Sequence, residues 1–234
     1  MIPDSGQIPL RFPEAKLLFE DMAITPSNRG VIAAVRRADH WPHYAFGLIG
    51  AAQSGLSTIA TSWAVERGGQ MLSAASFDNF DRADVERFCG GSVVLDRIDL
   101  VTDETRLLWL FSVIERLKGR LLVTAQTAPT QWSVASPDLR SRFKAMPVGD
   151  LGLPDEPLMR ARIRRACQRA YLNLPPAVED FLVTRLGLDY ERIERAILRL
   201  DGAVSEGRAL SIPLVKDVLD LRETDYDLFD AKVP

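Results

Sequence analysis

The first third of the chain contains four residues with the types and spacing of a phosphate-binding loop. An apolar run is followed by Gly50, four residues, Gly55 and the hydroxyl pair Ser57 and Thr58. Such loops surround phosphate oxygens with backbone N–H groups and a helix N-terminus, while a lysine neutralises their charge and a hydroxyl helps to hold Mg²⁺. Leu56 stands where the lysine is needed, and an apolar side chain facing a triphosphate would desolvate it without compensation. The motif is therefore either a degenerate nucleotide site or a structural turn.

A second candidate is the acidic end of the apolar run "SVVLDRID". Asp96 has the position of the Mg²⁺-binding acid that phosphate-loop enzymes carry at the end of a buried strand. The next residue should be a second acid that polarises the attacking water, but it is Arg97. Asp99 could substitute, although its place beyond the strand end favours a role at the start of a helix. We expect no intrinsic hydrolysis of nucleotide.

Two further polar groups belong to the same region of the predicted fold. Arg140 and Arg142 lie in "SPDLRSRF", where an arginine could be offered to a neighbour's phosphate or could belong to a solvated basic turn. Thr124 and Gln126 end the run "LLVTAQ", and this polar strand tip could sense a γ-phosphate or only cap the sheet.

Alternating elements are required to position these residues. Short apolar runs predict buried parallel strands at 46–49, 70–74, 92–95, 120–124 and 145–148. Helical patterns at 26–38, 57–67, 81–88 and 104–117 surround them or lie between them. We therefore expect an α/β domain with a mostly parallel sheet over residues 20–151.

The rest of the chain has a different character. The pattern is wholly helical at 156–171, 176–186, 190–206 and 212–221, which predicts a small all-α domain over residues 152–222. Three prolines indicate an extended leader over residues 1–19, and the acidic residues 223–234 are expected to form a frayed tail.

The composition argues against a protein that mainly binds DNA and against one that spans a membrane. The 234 residues carry a net charge of −3 and a pI of about 5.5, which is not the basic footprint of a protein that mainly grips DNA. The basic run 160–169 has interleaved apolar positions and is interpreted as a solvated helix face. No stretch is long enough to span a bilayer and no signal peptide is visible, so we expect a cytoplasmic location with no membrane partner.

The histidines and cysteines give no further site. His40 and His43 lie in "HWPH", where Pro42 breaks the helix that metal binding at this spacing needs, so we expect a loop and no metal. Cys89 and Cys167 are isolated in sequence and are expected to fill apolar space.

The order of these motifs resembles the AAA+ core of the replication initiator DnaA, and more closely its short relatives of the Hda family, which regulate inactivation of DnaA. The resemblance covers most of the chain. It is carried by "ITPSN", the loop at 50–58, Asp96, "LLVTAQTAP", "PDLRSRF" and "LSIPLVKDVL", of which the last two are the most specific. It implies a RecA-like α/β domain with an α-helical lid.

The resemblance also implies site residues and partners. Arg142 matches the arginine finger, which in this family reaches across an interface to a neighbour's nucleotide. The lid arginine that contacts nucleotide in this family has no secure match in the sequence, and Arg192 and Arg195 are the candidates. Family members normally keep the loop lysine and bind a nucleoside diphosphate, so no cofactor is expected here unless the degenerate loop still binds ADP. DnaA is the expected partner, and a homodimer is compatible with the family.

A leader peptide adds a second expected partner. Gln7, Ile8, Leu10 and Phe12 resemble the sliding-clamp-binding peptide of Hda-like proteins, with the β subunit of DNA polymerase III as the clamp. An extended segment of this kind can place its amide and apolar groups in a groove at a low entropic cost. The tail segment "DYDLF" resembles such a peptide only faintly.

Two functions remain open after these comparisons of motifs. The first is an Hda-like regulator that docks on the clamp and promotes ATP hydrolysis by DnaA. The second is a nucleotide-independent scaffold that binds DnaA or the clamp through a vestigial AAA+ fold. Because the sequence ends soon after Leu221, where DnaA continues into a DNA-binding domain, we expect no sequence-specific origin binding.

Overall fold

The computed structural model describes residues 18–77 and 79–219 of the chain. The predicted clamp-binding residues Gln7, Ile8, Leu10 and Phe12 lie outside the described residues, as does the acidic tail 223–234.

Five parallel strands form one sheet. They are β1 Ala45–Ile49, β2 Gln70–Ser73, β3 Ser92–Asp96, β4 Arg120–Ala125 and β5 Val148–Asp150. The strand order is β2-β3-β4-β1-β5, and every neighbouring pair is parallel. The first four strands confirm the predicted ones to within one residue at each end. The apolar runs of β1, β3 and β4 are buried on both faces of the sheet, whereas β2 lies at its edge and buries only Leu72.

The predicted fifth strand at 145–148 is wrong in its bounds. A helix continues through Ala145, and the strand begins only at Val148. Leu139 and Phe143 are buried four residues apart on that helix, and Met146 at its end enters the same core. The apolar run therefore joins a helix end to a strand start, which periodicity over so few residues does not separate.

The helices within the described ranges surround this sheet and follow it. They are α1 Pro26–Arg36, α2 Leu56–Glu66, α3 Ala74–Phe77, α4 Arg82–Phe88, α5 Glu104–Leu117, α6 Pro137–Ala145, α7 Glu156–Arg169, α8 Pro176–Leu186, α9 Tyr190–Ser205 and α10 Ile212–Val218. The predictions for α5 and α8 are confirmed at both ends.

Side-chain caps explain where several of these helices begin. Asp103, Ser136 and Asp155 precede α5, α6 and α7, and each accepts a hydrogen bond from a backbone N–H of the first turn. Such caps satisfy N–H groups that have no partner inside the helix.

The sheet buries a core on each face. Alternate residues of a strand point to opposite faces, so Val94 joins α1 and α2 while its neighbours Val93 and Leu95 pack with α4, α5 and α6. Trp63 of α2 is fully buried in the first of these cores. The arrangement is a sheet covered by helices on both sides.

The C-terminal helices α7 to α10 enclose a third core, which includes Met159, Ile163, Leu182, Ile193 and Leu200. This cluster contains no residue of the sheet. Within the described ranges, no helix is both long and apolar enough to cross a lipid bilayer.

Because all strands are parallel, their carboxyl ends lie along one edge of the sheet. The register pairs Ile49 with both Ala125 and Asp150, and Ser73 with Asp96. The loop that follows β1 and the acid that ends β3 therefore meet at this edge, which is where open α/β sheets commonly bind ligands.

Candidate phosphate-binding site

The loop between β1 and α2 depends on its two glycines. Gly55 precedes α2 with a φ of 104°, a conformation that residues with a side chain rarely adopt. At Gly50, an added Cβ would lie 2.8 Å from Ser54 Oγ and 3.2 Å from Leu151 Cβ. The motif therefore folds as a tight loop directly before the helix N-terminus.

Leu56 does not face this loop, contrary to the expectation that it would point at a phosphate. It is the first residue of α2, is only 7% exposed and belongs to the core cluster that also contains Leu48 and Trp63. The position is therefore apolar because its side chain packs into the fold. The presence of leucine at position 56 therefore gives no reason to expect that its side chain desolvates a bound phosphate.

Asp96 is joined to the loop by hydroxyl groups. Ser57 Oγ lies 3.1 and 3.2 Å from its carboxylate oxygens, and Thr124 Oγ1 donates to Asp96 Oδ1 at 2.5 Å. The backbone N–H of Arg97 in turn donates to Thr124 Oγ1 at 2.9 Å. Thr58 is exposed on the next position of α2, and Gln126 is exposed at the end of β4. The structure thus brings together Gly50, Gly55, Ser57 and Asp96, which the sequence analysis assigns to a degenerate nucleotide site.

Arg97 occupies the position after Asp96 where an acid that polarises the attacking water would be expected. Arg97 turns its side chain to Asp99, with Nε and Nη2 donating to the two carboxylate oxygens at 3.0 and 2.9 Å. This bidentate pairing raises the pKa of the Arg97 guanidinium. Asp99 lies inside a 3₁₀ turn, Ile98–Leu100, and its carboxylate is already engaged. It is not available as a substitute for the missing acid.

Sequence reasoning missed Arg162, which lies on α7. Its Nη1 donates to the Ser54 carbonyl at 2.8 Å and its Nη2 to the Gln53 carbonyl at 2.5 Å. The guanidinium also lies over the Tyr190 ring, 4.7 Å from the centroid. Burial is the largest cause of a lowered pKa for this group. The basic run that contains Arg162 is therefore not only a solvated face, as the sequence interpretation held.

A cleft separates the loop from the C-terminal helices. Its volume is about 910 Å³, and its walls include Gly55, Ser57 and Thr58 on one side and residues of α7 and α9 on the other. A hydrogen bond also joins α1 to the residue that caps α7: the backbone N–H of Ser27 donates to Asp155 Oδ2 at 3.1 Å. A volume of this size matches the range of small-molecule sites, which is about 300 to 1,000 Å³.

The lid arginines expected from the resemblance do not line this cleft. Arg192 pairs with Asp189 at 3.4 Å and Arg195 pairs with Glu191 at 3.3 Å, both on or beside α9. Neither is among the cleft residues. The role expected for them has no geometric support.

Arg142 lies elsewhere, on α6. Its Nη1 is 3.2 Å from Glu115 Oε2 and its Nη2 is 3.3 Å from Ser112 Oγ, both on α5. It lines a second cleft of about 510 Å³ together with His43 and Asp138. None of the described residues lines both this cleft and the cleft beside the phosphate-binding loop.

The segment around Arg142 is firmly placed. The Phe143 ring makes edge-to-face contacts with the rings of Trp132 and Phe111, at centroid distances of 4.7 and 5.8 Å. Both carboxylate oxygens of Glu104 accept backbone N–H groups, from Ala135 and Ser136, at 2.7 Å. These bonds lower the pKa of Glu104. Arg140 is held separately, because its Nη2 donates to the Val134 carbonyl at 2.8 Å.

The histidines and cysteines form no candidate site within the described residues. His40 and His43 lie in two 3₁₀ turns before β1, and the described residues contain no group of three or more His, Cys, Asp and Glu that could hold a metal. Cys89 and Cys167 are buried, and burial raises the pKa of each thiol to about 11. They fill apolar space, as the sequence indicated.

One relative by sequence is an uncharacterized protein of Haemophilus influenzae. It is 32% identical over 160 residues, and the match spans 65% of this chain and 65% of the relative, less than two thirds of either. No protein-family model matches the chain.

Solved structures show the fold more fully. Domain III of DnaA from Thermotoga maritima is 19% identical with a TM-score of 0.70, and the match covers 87% of this chain and 95% of that domain. AMPPCP-bound DnaA from Aquifex aeolicus is 17% identical with a TM-score of 0.64, covering 84% and 68%. The Holliday junction branch migration motor RuvB of Thermotoga maritima is 18% identical with a TM-score of 0.63, covering 88% and 72%. The chain therefore has the AAA+ fold that DnaA and RuvB share, a parallel sheet flanked by helices and followed by further helices.

Proposed function

We propose that this protein is an Hda-like regulator of chromosomal replication initiation that promotes hydrolysis of the ATP held by DnaA. The observation that carries the proposal is the place of Arg142. Within residues 18–77 and 79–219, the cleft that Arg142 lines shares no residue with the cleft beside the chain's own phosphate-binding loop. An arginine finger in this position would act on the nucleotide of a neighbouring protein.

The chain's own loop supports the same division of roles. It has no lysine because Leu56 is packed in the core, and its second acid is replaced by Arg97, which also occupies Asp99. Phosphoryl transfer depends on charges placed around the γ-phosphate and on an oriented water. The chain is therefore proposed to lack an ATPase of its own, so that Gly50, Gly55, Ser57, Thr58 and Asp96 form at most a nucleotide-binding site.

Arg142 could reach a partner at little cost. Its side chain is 33% exposed and its ion-pair partner Glu115 is 48% exposed. Exposed ion pairs of this kind contribute about 0 to 1 kcal/mol, because solvent screens the charges and ordering two long side chains costs entropy. A phosphate offered by a docked DnaA would be a better partner for the guanidinium than Glu115.

The proposal assigns separate tasks along the chain. The leader 1–19 would dock on the sliding clamp through Gln7, Ile8, Leu10 and Phe12. Residues 20–151 would form the AAA+ α/β domain and residues 152–222 the helical lid, followed by the acidic tail 223–234. Clamp docking would restrict the reaction to clamp-loaded DNA, so that the protein would restrain initiation once synthesis has begun.

The test compares Arg142→Ala with a control variant in the DnaA ATPase assay and adds substitutions of Gln7 and Phe12 in a clamp pull-down. Arg142→Ala should abolish stimulation of the DnaA ATPase, a loss that for arginine fingers amounts to about 10³-fold or more. Arg87→Ala, which removes an exposed arginine paired with Asp84 on α4, should leave it unchanged. Clamp pull-down should depend on Gln7 and Phe12 and should be unaffected by Arg142→Ala. Full stimulation by the Arg142→Ala protein would refute the mechanism.

A nucleotide-independent scaffold is the second candidate. The contacts of Arg142 with Glu115 and Ser112 favour it, because they give the arginine a structural role within α5 and α6. The scaffold predicts that DnaA or the clamp binds the chain while the hydrolysis rate of DnaA is unchanged. The same ATPase assay therefore separates the two functions.

A further inference from the structure

The carboxylate of Asp155 bonds to the first turns of two helices at once. Its Oδ1 accepts a hydrogen bond from the backbone N–H of Leu158 at 3.0 Å, which caps α7. Its Oδ2 accepts one from the backbone N–H of Ser27 at 3.1 Å, in the first turn of α1. Because α1 packs on the sheet and α7 belongs to the core of the C-terminal helices, one carboxylate joins the two parts of the molecule.

The N–H of Ser27 has no partner within its own helix. Ser27 is the second residue of α1, and the backbone bonds of that helix begin with the N–H of Asn28. The free N–H groups of a first turn carry partial positive charge, which makes a carboxylate a favourable acceptor. Desolvation opposes ionisation of Asp155, but hydrogen bonds from Thr25, Leu158 and Ser27 outweigh it and lower the pKa of this carboxyl. Asp155 is therefore charged at neutral pH.

A second contact between α7 and the α/β domain lies farther along the same helix. Arg162 of α7 donates to the carbonyls of Ser54 and Gln53 in the phosphate-binding loop. It follows Asp155 by about two helical turns, so the two side chains lie on one face of α7. This face of α7 is thus held to the α/β domain by a polar contact at each end.

The chain between the two parts can bend beside the Asp155 contact. Leu151 is 2% exposed, packs in the core with α1 and α2, and its N–H donates to the Ile49 carbonyl at 2.9 Å. Gly152 follows with a φ of 57°, and Leu153 is 69% exposed. Residues 152–154 therefore connect two anchored residues, Leu151 and Asp155, and include a glycine that adopts many backbone angles.

We propose that Asp155 is a latch: by holding the first turns of α1 and α7 on one carboxylate, it sets the position of the C-terminal helices over the phosphate-binding loop. When the bond to Ser27 breaks, residues 152–154 absorb the change of angle and the cleft of about 910 Å³ changes its width. Water can replace both partners of this bond, so opening leaves no buried polar group without a partner. This role of Asp155 does not depend on the proposed action on DnaA.

The variant that tests the latch is Asp155→Asn. Asparagine caps helices as well as aspartate does, so α7 keeps its start. It has one acceptor oxygen, however, and places an NH₂ group where the second oxygen was, which cannot accept from the N–H of Ser27. Asp189→Asn is the matched control, because Asp189 caps α9 through the N–H groups of Glu191 and Arg192.

Hydrogen exchange of single amides in the full chain, followed by NMR, measures the bond itself. The Ser27 N–H should be protected in the wild type and in Asp189→Asn, because its protection comes from Asp155. It should exchange about tenfold to a hundredfold faster in Asp155→Asn, as expected for loss of a hydrogen bond to a charged group. The Leu158 N–H should stay protected in Asp155→Asn, since the cap of α7 is kept.

Pulsed electron paramagnetic resonance measures the position of the C-terminal helices. Spin labels are attached at Val65→Cys on α2 and Leu198→Cys on α9, two positions that are 41% and 74% exposed. One distance is expected with the native Asp155 and with Asp189→Asn, and a second distance should appear with Asp155→Asn. The chain without added cysteines controls for labelling of the buried Cys89 and Cys167.

Each measurement can overturn the proposal. A Ser27 N–H that is unprotected in the wild type, or equally protected in Asp155→Asn, would show that the carboxylate does not hold α1. Label distances that are the same in Asp155→Asn and the wild type would show that the C-terminal helices keep their position without the latch. If Asp155→Asn does not fold, whereas Asp189→Asn does, its cap would be more than an N-cap, and the protection of Ser27 in the wild type then decides the question.

Discussion

The substitution Leu56→Lys restores the lysine of the phosphate-loop motif. The structure predicts that this substitution destabilises the protein. Leu56 is 7% exposed and is packed in the core that contains Trp63 and Leu48. Removing a fully buried leucine side chain from an apolar environment costs about 2 to 3 kcal/mol, whether the new lysine stays buried or turns out into the cleft.

Thermal unfolding measures this effect directly. For a chain of 150 to 250 residues, 1 kcal/mol shifts Tm by about 2 to 4 °C, so Leu56→Lys should lower Tm by about 4 to 12 °C. Leu198→Lys is the matched control, because Leu198 is 74% exposed on α9. A Leu56→Lys protein whose Tm falls no more than that of Leu198→Lys would show that Leu56 faces the cleft and that the description of the loop is wrong.

Three further predictions test the loop, the segment near Arg142 and the thiols. Gly55→Ala should destabilise the chain by about 1 to 2 kcal/mol, because the φ of Gly55 is 104°. Gly202→Ala in the interior of α9 should stabilise it by about 0.5 to 1 kcal/mol, because an added Cβ there meets nothing within 4 Å. Urea unfolding of the two variants measures this contrast in the free energy of unfolding. The pKa of Glu104 is lowered in the folded state from 4.5, so its contribution to stability is present above that pH and is lost as the pH falls through the folded value. Melting curves should therefore show Glu104→Gln less stable than the wild type at neutral pH and the difference shrinking below about pH 4; a constant difference would contradict this assignment. Cys89 and Cys167, with pKa values of about 11, should react with a thiol reagent at pH 8 only after unfolding, and rapid labelling of the native chain would show that they are accessible thiolates.

Much of the fold follows from the sequence because local patterns determine it. The apolar runs of β1, β3 and β4 are buried on both faces. Helices α5 and α8 begin at an aspartate or proline signal and end next to a glycine, and these signals can be read in the sequence. The place of β5 could not be predicted in the same way. Pro147 and the buried Met146 separate a helix from a strand within a few residues, and only the packing of α6 on the core decides which residues belong to each.

The candidate site could be predicted only in part. Gly50, Gly55, Ser57 and Asp96 follow a motif of fixed spacing, so the sequence identifies them. The side-chain direction of Leu56 depends on the packing of α2, and the contact of Arg162 with Ser54 joins residues 108 positions apart. No local pattern distinguishes Arg162 from the other arginines of α7, because what sets it apart is the position of α7 relative to the loop.

The most direct test of the proposed function follows labelled ATP that has been preloaded on DnaA, in the presence of this protein and clamp-loaded DNA. We predict that the wild-type chain accelerates conversion of that ATP to ADP, that the acceleration requires Arg142, and that the chain alone hydrolyses no ATP. An unchanged rate of conversion with the wild-type chain bound to DnaA would contradict the account and would leave the scaffold function in its place.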